Sequence, residues 1–160
     1  MRPRSVASSR VSMSELVFPN DTNPLGNIMG GRVMHLIDIA AAIAAGRHSR
    51  RPCVTAAIDE IVFLAPVAMG SVLVLKASVN LAARTSMEVG VRVESEDRRT
   101  GDRRHCASAY LTFVALGDDG RPTEVPPLLP RTKEERRRMA DAARRRSLRL
   151  ERRGRPPPRP

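Results

Sequence analysis

The sequence predicts an α+β domain in which an antiparallel sheet wraps one long central helix, with a basic helix added at the C-terminal end. Three observations predict it. The stretch Arg32–Ala45 consists of good helix formers and is apolar nearly all round; β-rich segments follow it between residues 54 and 116; and residues 132–153 combine helix formers with dense arginine. A helix without a polar face has to be enclosed, and consecutive strands after it supply the enclosing layer.

Taken in order, residues 1–13 are rich in Arg and Ser and free of acids, the composition of a disordered leader or of sequence ahead of a start at Met13. Glu15-Leu16-Val17-Phe18 is a short strand candidate stopped by Pro19, and Pro19–Asn27 packs turn formers so densely that it reads as a loop. In the helix, Val33, Leu36, Ile37, Ala40 and Ala44 recur at helical spacing, and Gly46 is placed to end it. Strands are expected at Val54–Phe63, Ser71–Leu81, Ser86–Glu96 and Arg104–Leu116, with a hairpin turn at Asp97–Asp102. In the third of these, Met87, Val89, Val91 and Val93 share one face while Glu88, Arg92 and Glu94 share the other, expected to meet solvent or a neighbouring subunit. The same surroundings are expected for Asp59 and Glu60.

The chain then exits through Glu124–Pro130 into the helix at 132–153, where Thr132 and Glu135 have the spacing of a capping box. The terminal Gly-Arg-Pro-Pro-Pro-Arg-Pro is expected to be disordered. The resulting division is a leader at 1–13, a domain at 14–130 and a basic helical tail at 131–160. One helix under one sheet leaves a sheet edge unpaired, so dimerisation through that edge is expected.

The formal charge of +11 suggests nucleic-acid binding only until it is placed along the chain. Residues 131–160 carry 13 Arg/Lys against 4 Asp/Glu and the leader carries three Arg, which leaves the body between them at −1. With three Phe, one Tyr and no Trp, the chain also lacks stacking platforms for single-stranded nucleic acid, and its core is expected to be aliphatic and Met-rich. Arginine runs in the tail keep a nucleic-acid arm as a lesser reading. Cys53 and Cys106 form no Cys-x-x-Cys pair and no histidine stands at ligand spacing, so neither a disulfide framework nor a metal site is suggested, and two free thiols fit a reducing cytoplasm. No apolar run reaches the length of a membrane span.

One residue resists this account. Asp38 is a lone carboxylate in an apolar helix, where an unpaired charge would cost several kcal/mol, so it needs a partner or a use. His35, one turn away, is a possible structural partner or the second member of a His–Asp dyad.

Four segments carry a resemblance that bears on this choice: Asp21-Thr-Asn-Pro-Leu-Gly-Asn-Ile-Met-Gly-Gly-Arg-Val-Met-His-Leu-Ile-Asp38, Val54–Gly70, Arg84-Thr-Ser-Met-Glu88 and Phe113–Leu116. In order and spacing the chain resembles the hotdog-fold acyl-CoA thioesterases, in the group of cytosolic acyl-CoA hydrolases and their broad-range bacterial relatives. The resemblance implies hydrolysis of acyl-CoA at a dimer interface, without metal or bound cofactor, and a homo-oligomer of at least a dimer, with a trimer of dimers as the family's habit. It assigns Asp38 as the general base for water or as a direct nucleophile, and Asn23 as an orienter contributed by the partner subunit, with Asn27 as runner-up. It places Arg84, Thr85 and Ser86 against the CoA moiety, with Ala83 where the family usually has glycine. The N–H groups of Gly30 and Gly31, at the positive end of the helix, suit a thioester oxyanion. A tunnel between helix and sheet would set acyl-chain length, and Met29, Met34, Met69 and Met87 are the residues to check as its lining.

The alternatives are a non-catalytic acyl-CoA-binding or regulatory module on the same fold, with Asp38 structural, and a dehydratase relative using His35.

Overall fold

The alternation of apolar residues in the strands decides which way each side chain points. In the computed structural model, which describes residues 1–154, the elements are β1 (Arg4–Ser5), β2 (Val11–Leu16), α1 (Gly30–Ser49), β3 (Cys53–Phe63), β4 (Val72–Ala82), β5 (Ser86–Glu96), β6 (Arg103–Ala115), β7 (Leu128–Leu129) and α2 (Lys133–Gly154). The main sheet is five-stranded and antiparallel in the order β2-β4-β5-β6-β3, and β1 pairs in parallel with β7 beside it. The inward-facing row, with Leu73, Leu75, Val79, Met87, Val89, Val93, Leu111 and Phe113, is essentially inaccessible and packs on Leu36, Ile37, Ala40, Ala41 and Ala44 of α1. Each fully buried Leu, Ile, Val or Phe contributes about 1.5–3 kcal/mol.

Several expectations are corrected. Residues 4–13 are not a disordered leader: Arg4–Ser5 join β7, Val6 and Ser9 are buried, and β2 starts at Val11, so a boundary at residue 14 cuts through a strand. The Ser9 hydroxyl accepts the Val79 N–H (3.0 Å) and donates to the Val6 carbonyl (2.7 Å), which ties the segment to the sheet despite its sparse apolar content. The helix does not stop at Gly46. A glycine inside a helix costs only about 1 kcal/mol, and α1 continues to Ser49, ending at Arg50 in the left-handed region (φ 57°), whose N–H bonds the Gly46 carbonyl. Nor is the core Met-rich: among the seven methionines only Met87 is fully buried, while Met1, Met29, Met34 and Met69 are exposed.

α2 lies on the outer face of the sheet. Its start has the expected capping box: the Glu135 N–H donates to the Thr132 hydroxyl (3.1 Å) and the Thr132 N–H to the Glu135 carboxylate (3.2 Å). The Arg131 N–H on the same carboxylate, foremost among these bonds, holds Glu135 below the ordinary carboxylate range. Arg145 then grips Glu88 with two bonds (3.1 and 2.8 Å) while its guanidinium lies 3.7 Å from the centre of the Tyr110 ring. Arg149 pairs with Asp59 on β3. The outer face of β5, expected to meet solvent or another subunit, is therefore covered by the chain's own tail at Glu88, which is only 3% exposed, while Arg92 on the same face is exposed as expected and Glu94 pairs with Lys76. Asp59 belongs to the same correction. The terminal Arg155–Pro160, expected to be disordered, lies outside the described residues.

Candidate active site

The turn formers at 19–27 fold into a loop that delivers a polar rim to the head of α1. The Asn23 side-chain oxygen accepts the N–H groups of Leu25 (3.0 Å) and Asn27 (3.2 Å), an Asx turn that leaves the side-chain amide NH2 free to donate. Asp21 braces the loop through its side chain to Arg32 (3.0 Å) and through its carbonyl to the Met29 N–H.

α1 starts bare. Its N-cap is Met29, with no side-chain cap and no acid in the first turn, and among the described residues the N–H groups of Gly30 and Gly31 have no acceptor. These amides present the partial positive charge of the helix to whatever enters. A Cβ at Gly30 would sit 3.6 Å from the Phe63 ring and one at Gly31 would meet nothing within 4 Å. Packing within the protomer thus does not require either glycine, and their value is a backbone left open to approach.

Asn23, Asn27 and Gly30 rim a cavity of about 370 Å³ whose inner wall is apolar, with Val33 from α1 and Leu73, Val93, Cys106 and Ala107 from the sheet. None of Met29, Met34, Met69 and Met87 lines it.

Asp38 is elsewhere. It stands eight residues beyond Gly30, about 12 Å along the axis, on the outer side of α1, where its carboxylate accepts a 2.7 Å hydrogen bond from the hydroxyl of Thr55 on β3. The partner is Thr55 and not His35. Around this pair the surface is apolar and open: Met34, Ile39 and Ile43 on the helix and Ile58 on β3 are exposed, and Val54 and Val62 are exposed on the other face of the strand, where they pair with Val114 and Ser108. β3 is an edge strand, with no strand beyond it among the described residues. Thr55 is the functional candidate that residue-by-residue reading passed over, although it lies within the Val54–Gly70 segment. Its signal is visible only once the helix is docked on the strand, because the two residues are 17 apart in sequence.

Arg84, Thr85 and Ser86 form the turn from β4 to β5, held by Ala115 and Val125 N–H groups on the Thr85 and Arg84 carbonyls (both 3.0 Å). Ala83 has no positive φ, so the backbone there makes no demand for glycine. Arg84 is exposed, but the turn stands at the end of the sheet opposite the cavity, about 30 Å from Leu73 along β4. One protomer therefore brings together Asn23, Gly30 and Gly31, and separately Asp38 and Thr55, and separately again Arg84, Thr85 and Ser86. Among the described residues no group of three or more His, Cys, Asp or Glu is placed to hold a metal ion, Cys53 and Cys106 are free thiols, and no helix is long and apolar enough to cross a membrane.

Comparison with known proteins gives this arrangement its context. Residues 25–101 match the model of the thioesterase superfamily. An uncharacterized acyl-CoA thioester hydrolase of Bacillus subtilis is 42% identical over 132 residues, covering 82% of this chain and 77% of that protein. The crystal structure of an apo-hexameric acyl-CoA thioesterase superposes with a TM-score of 0.92 at 40% identity, covering 96% of this chain and 99% of that one. The acyl-CoA hydrolase of Staphylococcus aureus, solved with butyryl-CoA, CoA and CoA disulfide, superposes at 0.88 with 37% identity over 94% of this chain and 92% of its own. That enzyme has also been solved with an asparagine, an aspartate and a threonine each replaced by alanine. The three are separated by 15 and 17 residues, the separations of Asn23, Asp38 and Thr55.

Proposed function

Because this chain belongs to the thioesterase superfamily, we propose that it is an acyl-CoA thioesterase with a hotdog fold, releasing free CoA and a carboxylic acid at a site shared between two copies. The observation that carries the mechanism is the Asp38–Thr55 hydrogen bond, standing alone on an apolar face beside an unpaired strand edge. A carboxylate oriented on such a face has a use only if something reactive is brought to it.

Antiparallel pairing of β3 with its own copy covers the exposed apolar residues and turns the Thr55 end of one strand toward the Phe63 end of the other. Asp38 of the partner subunit then faces the rim that holds Asn23, Gly30 and Gly31, which its own Asp38 cannot reach over about 12 Å. The same two-fold carries Arg84, Thr85 and Ser86 of the partner subunit toward this end of the molecule, where a guanidinium and two hydroxyls suit the phosphates and amides of CoA. The assembly proposed is a homo-oligomer built on this dimer, in the cytoplasm, where free thiols persist.

The thioester carbonyl points its oxygen at the Gly30 and Gly31 N–H groups, with the Asn23 amide as a further donor or as the anchor of the water. Asp38 takes a proton from the water as it attacks the carbonyl carbon. The tetrahedral oxyanion collapses, the C–S bond breaks, and the proton passes to the departing CoA thiolate. Thr55 orients Asp38 by donating to one carboxylate oxygen and leaving the other for the water.

The test is release of free CoA thiol from an acyl-CoA panel by the wild type and by Asp38→Asn, with folding of both checked by circular dichroism. Turnover falling by at least about 100-fold in a folded variant is the expected outcome, on the scale of general-base catalysis. Undiminished turnover would remove Asp38 from the chemistry, and no turnover by the wild type with CoA binding intact would make the chain a binding module.

A further inference from the structure

We propose that the cavity at the head of α1 is a blind socket for the acyl chain, and that the substrates are acyl-CoA thioesters of short to medium length, about ten carbons or fewer. The inference rests on the thioesterase reading and adds a size limit to it. Polarity changes along the cavity in the sense an acyl thioester requires: amide groups of Asn23, Asn27 and Gly30 at the rim, then only Val33, Leu73, Val93 and their apolar neighbours inside.

The socket has a bottom. Val33 lines it, but Ile37, one helical turn deeper, does not, and Ile37, Leu75, Val91 and Ala109 form the next layer with at most 3% exposure. At roughly 30 Å³ per chain atom, about a water's share of liquid volume, the cavity of about 370 Å³ takes about twelve non-hydrogen atoms. That corresponds to a thioester head with a chain of about ten carbons. A sixteen-carbon chain exceeds the space unless it leaves part of itself in water or opens the core.

Ala107 is the residue whose smallness opens the socket on the sheet side. It faces α1 from β6, directly opposite Val93 in the β5–β6 register, and is 1% exposed. A leucine there projects into the cavity instead of into packed neighbours, so the fold tolerates it. The neighbouring Leu73 offers the opposite change, since truncation enlarges the same space.

The experiment measures kcat/KM for straight-chain acyl-CoA thioesters from two to sixteen carbons with the wild type, Ala107→Leu and Leu73→Ala, each checked by circular dichroism. Dissociation constants for the matching non-hydrolysable S-alkyl-CoA thioethers are measured by calorimetry. The expected wild-type profile falls at least about 10-fold between eight and sixteen carbons, the scale of one misfit methylene in an apolar pocket. Ala107→Leu loses at least about 10-fold on eight to ten carbons while keeping turnover on two to four, and Leu73→Ala moves the optimum longer. A sixteen-carbon substrate handled as well as an eight-carbon one, or an unchanged profile in both variants, overturns the socket while leaving the thioesterase reading intact. If no chain is hydrolysed, that reading fails, and the thioether series still decides the size limit by binding alone.

Discussion

A carboxylate that is to act as a base needs its orientation held while its charge stays available. Asp38 receives one hydroxyl, from Thr55, and no cation or second carboxylate contacts it among the described residues. The hydrogen bond to a charged acceptor is worth about 1.5–3 kcal/mol. In Thr55→Val the side-chain shape is kept and the bond lost, so kcat is expected to fall about 10- to 100-fold with KM little changed, and Thr55→Ser to recover most of it. Steady-state kinetics on one acyl-CoA checks both, and a loss in the serine variant with none in the valine variant would mean the methyl group, not the hydroxyl, matters. Asn23 has a different economy: its side-chain oxygen is committed to the turn, so only its NH2 faces the rim.

The elements around α1 are fastened at its C-terminal end by a buried histidine. His48 is inaccessible; its Nε2–H donates to the Pro126 carbonyl (2.8 Å), and Arg4 from β1 bonds the His48 carbonyl (2.9 Å). Burial, with the charge of Arg4 adding to it, pushes the imidazole below its ordinary 6.5 despite the Pro126 bond. Between the folded value and 6.5 the unfolded chain binds the proton and the folded chain does not, so folding weakens as pH falls through that window. The melting temperature is expected to be lower at pH 5.5 than at 7.5, with a slope no steeper than about 1.4 kcal/mol per pH unit from this group. Replacing His48 by Gln should flatten that dependence, and a slope unchanged in the variant would assign it to other groups. On the outer face of the sheet, α2 shows how a charged segment is used: Arg145 and Arg149 turn inward to Glu88 and Asp59, so one face of what reads as a phosphate-binding arm is a layer over the sheet, while Arg136, Arg137 and Arg138 stay exposed.

On the proposed assembly each site takes Asn23 from one protomer and Asp38 from the other, and this makes a sharp prediction. Asp38→Asn and Asn23→Ala are each expected to be nearly inactive, yet unfolding and refolding them together should restore activity. Random two-fold pairing yields about a quarter of the wild-type rate, from one intact site in the half of the dimers that are mixed. No recovery on mixing would place both groups in the same protomer and overturn the shared site.

Much of this was legible from residues alone. The first strand, expected at Glu15–Phe18, runs over Val11–Leu16, but the bounds of the four strands after the helix, the capping box of Thr132 and Glu135, and the loop at 19–27 follow from local rules: period-2 alternation, reciprocal cap bonding and turn chemistry act over a few residues, and local order in the sequence suffices to show them. The anomaly of Asp38 was equally plain, because a charge in an apolar helix violates the pattern around it. Other features depend on partners distant in the chain. That Thr55 meets Asp38, that Glu88 and Asp59 are covered by α2, and that a sparse N-terminal segment completes the sheet edge each require two elements to be docked. Periodicity tells which face of a strand is apolar but not what covers the polar one, and it cannot measure the space left over when helix and sheet close. The site's residue types were thus set by local sequence, whereas their grouping and the depth of the cavity beside them were decided by packing, since contact between distant residues is a property of the fold.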